Sequence, residues 1–182
     1  MSPDDITKWY ALAVYTRQEK AAHEEIASLG VESFLPTRQT RKLWSDRIKQ
    51  SSEPLFPGYL FVNLALTAEL RVKIIRLKQV QDLVGRQKVT GAGSMAIHIP
   101  DQQIDSLRLL IGSQKVLEPT QKLIKGTQVR ISQGPLKGAH GVIEQEPTGS
   151  RRIIVQLPLL GRGVKTELSA DDVLSYEELG LN

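Results

Sequence analysis

The sequence contains no cysteine. That excludes a disulfide framework, a thiolate metal site and a thiol nucleophile, and it fits a reducing, cytoplasmic setting. Aromatic residues are scarce: three Phe, four Tyr and two Trp. No apolar run approaches the ~20 residues needed to span a bilayer, so no membrane partner is expected. The N-terminus, Met1-Ser2-Pro3-Asp4-Asp5, is acidic and lacks the basic and apolar regions of a signal peptide. The three histidines, His23, His98 and His140, are scattered. No Ser/His/Asp set or metal-ligand cluster accompanies them, and Gly91-Ala92-Gly93 lacks the strand–loop–helix spacing of a nucleotide fingerprint. Neither catalysis nor a bound metal or cofactor is expected.

What is present is ordinary for a globular protein: 40% hydrophobic and 24% charged residues. A chain of 182 residues suggests one or two domains. The net charge is +4 and the sequence pI about 9.4, mildly basic and compatible with an anionic partner. Residues 1–113 carry fifteen basic against twelve acidic side chains, the remainder nine against eight.

Two of the three Phe fall in Leu55-Phe56-Pro57-Gly58-Tyr59-Leu60-Phe61-Val62. Pro57-Gly58 reads as a turn, with a strand after it. Alternation puts Tyr59 and Phe61 on one face and Leu60, Val62 and Leu64 on the other. The aliphatic face suits a helix-covered core. The aromatic face is either a second core or, if uncovered, a partner site. Lys8 to Tyr15 is a further strand, whose Ala11 and Ala13 share a face and would floor a shallow groove.

Arg17 to Leu29 reads as a helix with Ala22, Ile26 and Leu29 as its apolar stripe, stopped by Gly30. Val31 to Leu35 is a short strand. Pro36 to Ser52 is a basic hairpin with Arg38, Arg41, Lys42, Arg47 and Lys49 against Asp46, and with Trp44 at its middle. Such a segment can follow phosphates and stack a base, or be a solvated hairpin with Trp44 folded onto its stem. Thr67 caps a helix to Leu77, with Val72, Ile75 and Leu70 inward and Arg71, Arg76 and Lys78 outward or at the edge. Those cations form either a solvated face or a face for an anion. Gln79 to Val84 is a strand, Gly85 to Ser94 a loop, and Pro100-Asp101 opens a helix with Ile104, Leu107, Leu110 and Ile111 inward. The order predicts an α+β fold, an antiparallel sheet with helices packed on it.

Ser113 to Lys125 is polar and without period, and reads as a linker. Beyond it, short strands at 127–132, 141–145, 151–156 and 164–168, separated by Gly/Pro turns, predict a small β-barrel.

Val129 to Ile143 resembles the KOW motif, a strand, a glycine-rich turn and a returning strand, with Gly134, Gly138 and Gly141 at its glycine positions. Trp9-Tyr10, Gly30-Val31-Glu32, Leu35-Pro36-Thr37 and Phe56-Pro57-Gly58-Tyr59, in that order, resemble the NusG N-terminal domain. Leu160-Gly161-Arg162 resembles the family's Gly-Arg turn. The resemblance implies a NusG-like domain over 1–113, a flexible linker over 114–125 and an SH3-like KOW barrel over 126–182. It implies a monomeric bacterial transcription elongation factor that docks on the clamp helices of RNA polymerase through Ala11, Ala13, Phe56, Tyr59 and Phe61. It further implies contacts to the non-template DNA strand, for which Arg41, Lys42, Arg47, Arg71, Arg76 and Lys78 are the candidates. The KOW barrel would meet a small-subunit ribosomal protein or Rho. Ser52 to Pro57 and Tyr59 to Val62 are closer to specialised antiterminators of the RfaH and UpxY kind than to housekeeping NusG. Arg71-Val72-Lys73 stands near the place of RfaH's His-Thr-Thr, and Leu160 replaces the barrel's aromatic before Gly-Arg. A general NusG and a ribosome-associated KOW protein are the alternatives.

Overall fold

The computed structural model describes residues 6–44, 47–87, 94–121, 128–131, 134–145, 151–168 and 176–178. Of 41–44, 47–49, 86–87, 94, 145, 159 and 176–178 only the backbone is described. In chain order the elements begin with β1 (Lys8–Val14), α1 (Glu19–Ser28), β2 (Glu32–Phe34), β3 (Thr37–Trp44) and β4 (Arg47–Pro54). Then come β5 (Tyr59–Leu64), α2 (Ala68–Ile75), β6 (Val80–Leu83), β7 (Gly85–Gln87), β8 (Ser94–Ala96) and β9 (His98–Ile99). Helix α3 (Asp101–Gly112) leads to β10 (Glu118–Thr120), β11 (Gln128–Ile131), β12 (His140–Gln145), β13 (Arg151–Leu157), β14 (Arg162–Glu167) and β15 (Tyr176–Glu178). The fold is α+β, and the described strand pairs are antiparallel.

Two compact units emerge, and they cut across chain order. One comprises Met1–Pro36 and Phe56–Asp101, the other Thr37–Leu55 and Gln102–Asn182. The β3–β4 hairpin and helix α3 group with the barrel, for which there are local reasons. Arg38 reaches the Leu117 carbonyl, and the buried Ser106 of α3 accepts the His140 N–H at 2.8 Å.

The first unit is a sheet of order β2-β5-β1-β6, with β9 also paired to β1. Its aliphatic face carries Leu12 and Val14 of β1 and Leu60, Val62 and Leu64 of β5. These pack with Ala22 and Ile26 of α1, Ile74 of α2, and Val80 and Leu83 of β6. Each Leu, Ile and Val among them contributes roughly 1.5–3 kcal/mol by leaving water. Gly30, at φ +74, takes the left-handed conformation that ends α1.

Helix α2 is rotated from the expectation. Thr67 caps it, its hydroxyl accepting the Leu70 N–H at 3.2 Å. Yet Ile74 is the buried residue, with Leu70 and Leu77 against the core, while Val72 and Ile75 are exposed. The stripe is i, i+4, i+7 from Leu70, and the sheet selects it. The expected loop 85–94 is framed by the β7–β8 pair, Gly85 opposite Ala96. A Cβ at Gly85 would collide with the Met95 carbonyl.

The second unit contains the β3–β4 hairpin, α3 and a sheet of order β10-β14-β13-β12-β11-β15. Its core holds Val129, Ile131, Leu136, Ala139, Val142, Leu157 and Val164. Ile153, Ile154 and Val155 are buried in succession, so both faces of β13 are covered. Part of the expected linker is a strand: Glu118, Pro119 and Thr120 pair with Lys165, Val164 and Gly163. The seam is reinforced by the buried Thr166, whose hydroxyl donates to the Val116 carbonyl at 2.8 Å. Glu118 also lies 3.5 Å from both Arg152 and Lys165.

Candidate functional site

Phe56 to Tyr59 form a type II turn. The Tyr59 N–H donates to the Phe56 carbonyl at 3.0 Å, Pro57 supplies the fixed φ, and Gly58 sits at φ +84, where a side chain is strained. Two bonds lock the turn to its surroundings. The Val14 N–H donates to the Gly58 carbonyl at 2.9 Å, and the Gly58 N–H donates to Glu19 Oε1 at 2.8 Å. Glu19 is the first residue of α1 and is buried. Sequence reading missed it, since nothing in a helix's opening residue names a distant turn as its partner.

The turn delivers β5 beside β1 in a fixed register. Ala11 stands opposite Phe61 and Ala13 opposite Tyr59. Directly opposed residues share a face, so each small side chain leaves room for an aromatic. On the other edge of β5, Phe34 stands opposite Phe61. Phe56 meets Phe61 edge-on, with ring centres 5.6 Å apart, and Phe34 lies 6.3 Å from Phe61 and 6.5 Å from Trp9. Contacts of this geometry contribute about 0.5–1.5 kcal/mol each beyond their buried area. Phe34 and Trp9 were not among the expected site residues. The sequence did signal Phe34, as the third Phe, on the strand after α1.

All five residues expected to meet polymerase thus lie together, but they differ in exposure. Ala11, Phe56 and Phe61 are buried, and Ala13 and Tyr59 are half-buried. The face is an aromatic cluster framed by polar pairs: Asn63 donates to Glu32 at 2.9 Å at one margin, and Asp82 stands opposite Ala13 at the other.

The candidate nucleic-acid residues fall into two sets, one in each unit. Arg71 is half-buried, 3.9 Å from Asp82. Lys73 pairs with Glu69 at 2.7 Å, and that hydrogen bond, with the ammonium charge, holds the Glu69 carboxyl below its usual range. Arg76 and Lys78, at and beyond the end of α2, are exposed. In the hairpin, Arg41 stands opposite Gln50, whereas Lys42 stands opposite Lys49 and Arg47 opposite Trp44. The two-residue period therefore puts Lys42 and Arg47 on one face of the hairpin and Arg41 on the other.

In the glycine-rich turn, Gly134 has φ +75 and Gly138 φ +91. The Gly138 N–H donates to the Ile131 carbonyl at 2.7 Å. A Cβ on Gly141 would lie 2.6 Å from the Ile154 carbonyl oxygen. Beside this turn, desolvation holds the His140 imidazole below its usual pKa; the Arg130 charge acts the same way, against a backbone hydrogen bond at Gly138. Among the described residues, no group of three His, Asp or Glu could hold a metal ion, and no helix is long and apolar enough to cross a membrane.

A family model described as "Transcription termination factor nusG" matches residues 7–108. The transcription termination/antitermination protein NusG of Vibrio vulnificus is 22% identical over 183 aligned residues, spanning 95% of this chain and 98% of its own. Its counterpart in Campylobacter jejuni is 24% identical over 170, spanning 88% and 93%. Among solved structures, one described as "Domain interaction in Thermotoga maritima NusG" superposes with a TM-score of 0.53 at 20% identity. It covers 93% of this chain and 99% of that one.

Proposed function

The chain belongs to the NusG family of transcription termination/antitermination factors, and from that premise we propose that it binds the clamp helices of RNA polymerase and suppresses pausing or termination at particular operons. The observation that carries this is the half-exposed pair Ala13 and Tyr59, opposed across β1 and β5 and set on a buried support of Ala11, Phe61 and Phe56, the two Phe rings edge-on at 5.6 Å. A turn locked at three points holds these side chains at the end of the sheet. The action is a population shift: a factor that binds the closed clamp more tightly disfavours the open, paused state. No bond is made or broken, and no cofactor is needed. In the cytoplasm the protein acts as a monomer on the elongating complex. Arg71 and the exposed Arg76 and Lys78 of the first unit, and separately the hairpin's Arg41, Lys42 and Arg47 in the second, are the residues proposed to meet the non-template strand. The barrel, with its Gly134, Gly138 and Gly141 turn, is left to meet the ribosome or Rho.

Tyr59 is the discriminating residue, because it is aromatic, half-buried and at the edge of the cluster. Tyr59→Ala is expected to weaken binding to core polymerase by ~2 kcal/mol, the loss typical of a central interface aromatic. Its circular dichroism and melting should stay near wild type. Full binding by a folded Tyr59→Ala variant would remove this face from the interface. A gene found at the head of a long biosynthetic operon would favour the specialised role, and one found among housekeeping genes the general one.

A further inference from the structure

We propose that the base of the β3–β4 hairpin is a phosphate-binding groove anchored by Arg38, the seat of one phosphate of a single-stranded nucleic acid. This rests on the nucleic-acid part of the function proposed above and gives it a specific site. A groove of about 650 Å³ lies between Thr37, Arg38 and Gln39 of β3, Ile111 of α3, and Lys115 and Val116 of the connector. That size falls in the range of ligand clefts.

The guanidinium is under-used where it stands. Arg38 Nη1 donates to the Leu117 carbonyl at 3.4 Å, and Nη2 lies 3.9 Å from Glu53 Oε2. The first contact is long and the second is beyond hydrogen-bonding distance. The buried Nε has no acceptor. A buried N–H without a partner is uncommon in native proteins, and with the side chain 36% exposed the guanidinium can be reached from the groove it lines. A planar fork of five donors matches the oxygens of a phosphate two at a time. Lys115 adds a second cation to the same wall, its Nζ donating to the Glu167 carbonyl at 3.4 Å. Val116, 79% exposed, and the half-buried Ile111 give an apolar rest for a sugar or base.

The hairpin register favours a nucleic acid over an acidic peptide. Arg38–Glu53, Thr40–Ser51, Lys42–Lys49 and Trp44–Arg47 are opposed pairs at two-residue intervals, so they share one face. In sequence the hairpin segment carries Arg38, Arg41, Lys42, Arg47 and Lys49 against Asp46, a cationic balance that suits a chain of phosphates. The same segment includes Trp44, a residue type that stacks on bases. Glu53 alone works against an anion there, competing for Arg38.

That competition sets the test, made on the full chain with a labelled single-stranded oligonucleotide by fluorescence anisotropy at low salt. Arg38→Gln should weaken binding about threefold to tenfold and reduce the salt slope by about 0.7, one phosphate's worth. Glu53→Gln should tighten binding, a direction that loss of fold cannot produce. Wild-type affinity and slope in Arg38→Gln, or no tightening in Glu53→Gln, overturns the groove. If Arg76→Ala with Lys78→Ala still weakens binding in that case, the broader nucleic-acid reading survives. Absence of any salt-dependent binding by the wild-type chain overturns both. Displacement of the oligonucleotide by an acidic peptide but not by inorganic phosphate assigns the groove to a protein and also overturns the proposal.

Discussion

Glu19 shows how one carboxylate can hold a turn that lies 39 residues away in sequence. Its oxygen is the acceptor for the Gly58 N–H. Removing an acceptor from a buried donor costs about 1–3 kcal/mol. Glu19→Ala is therefore expected to lower unfolding stability by that amount in urea titration, and Glu19→Gln, which keeps an acceptor oxygen, by less. Phe61 behaves differently from its neighbour Tyr59. It is fully buried, so Phe61→Ala should destabilise the fold by about 3–5 kcal/mol as other core Phe truncations do. Sequence alternation placed both residues on one face but could not say which lay deeper, because depth depends on what covers the face. His140 carries a pH signature. Its folded pKa lies below the unfolded one, so the unfolded chain takes the proton first. Its contribution is complete above about 6.5 and is lost as the pH falls through the folded value. The melting temperature of His140→Gln should accordingly fall less than wild type between about pH 7.5 and about pH 5.5.

At the scale of elements, α2 is the instructive case. Leu70, Val72, Ile74, Ile75 and Leu77 surround the helix with apolar groups, so two stripes are compatible with its sequence. The sheet takes the one through Leu70, Ile74 and Leu77. Ile74→Ala should thus cost about 2–5 kcal/mol, whereas Val72→Ala should stay within about 0.5 kcal/mol, both read by thermal or urea unfolding. Long, alternating strands were legible: β1, β5 and the hairpin fall within a residue or two of their sequence limits. So were glycines with a mechanical reason, such as Gly58 at its positive φ. The three-residue strands β7, β8, β10 and β15 were not. They are too short to show a period, and their pairing comes from distant partners. Of the site, the Ala–aromatic face could be read from alternation. The Glu19 contact and the Arg38 groove could not, since both join segments far apart in sequence.

For the whole molecule, the connector is the segment to follow, since Glu118–Thr120 within it pair with the barrel strand β14. Thr166 and the Glu118 ion pairs fasten β10 to the barrel edge. Thr166→Val combined with Glu118→Gln should speed exchange of the Glu118 and Thr120 amides in hydrogen-exchange mass spectrometry, with protection of β12 and β13 unchanged. Equal loss across the barrel would mean that the strand is an integral part of the barrel core. A last consequence concerns the order in which the chain is made. Thr37–Leu55 belongs with a unit whose remaining residues begin at Gln102. A ribosome adding ~5–20 residues per second leaves that hairpin waiting several seconds for its companions. Through that interval the basic, newly emerged hairpin lacks the later part of its own unit. Slower translation between Phe56 and Asp101 would lengthen its exposure to chaperones and to RNA.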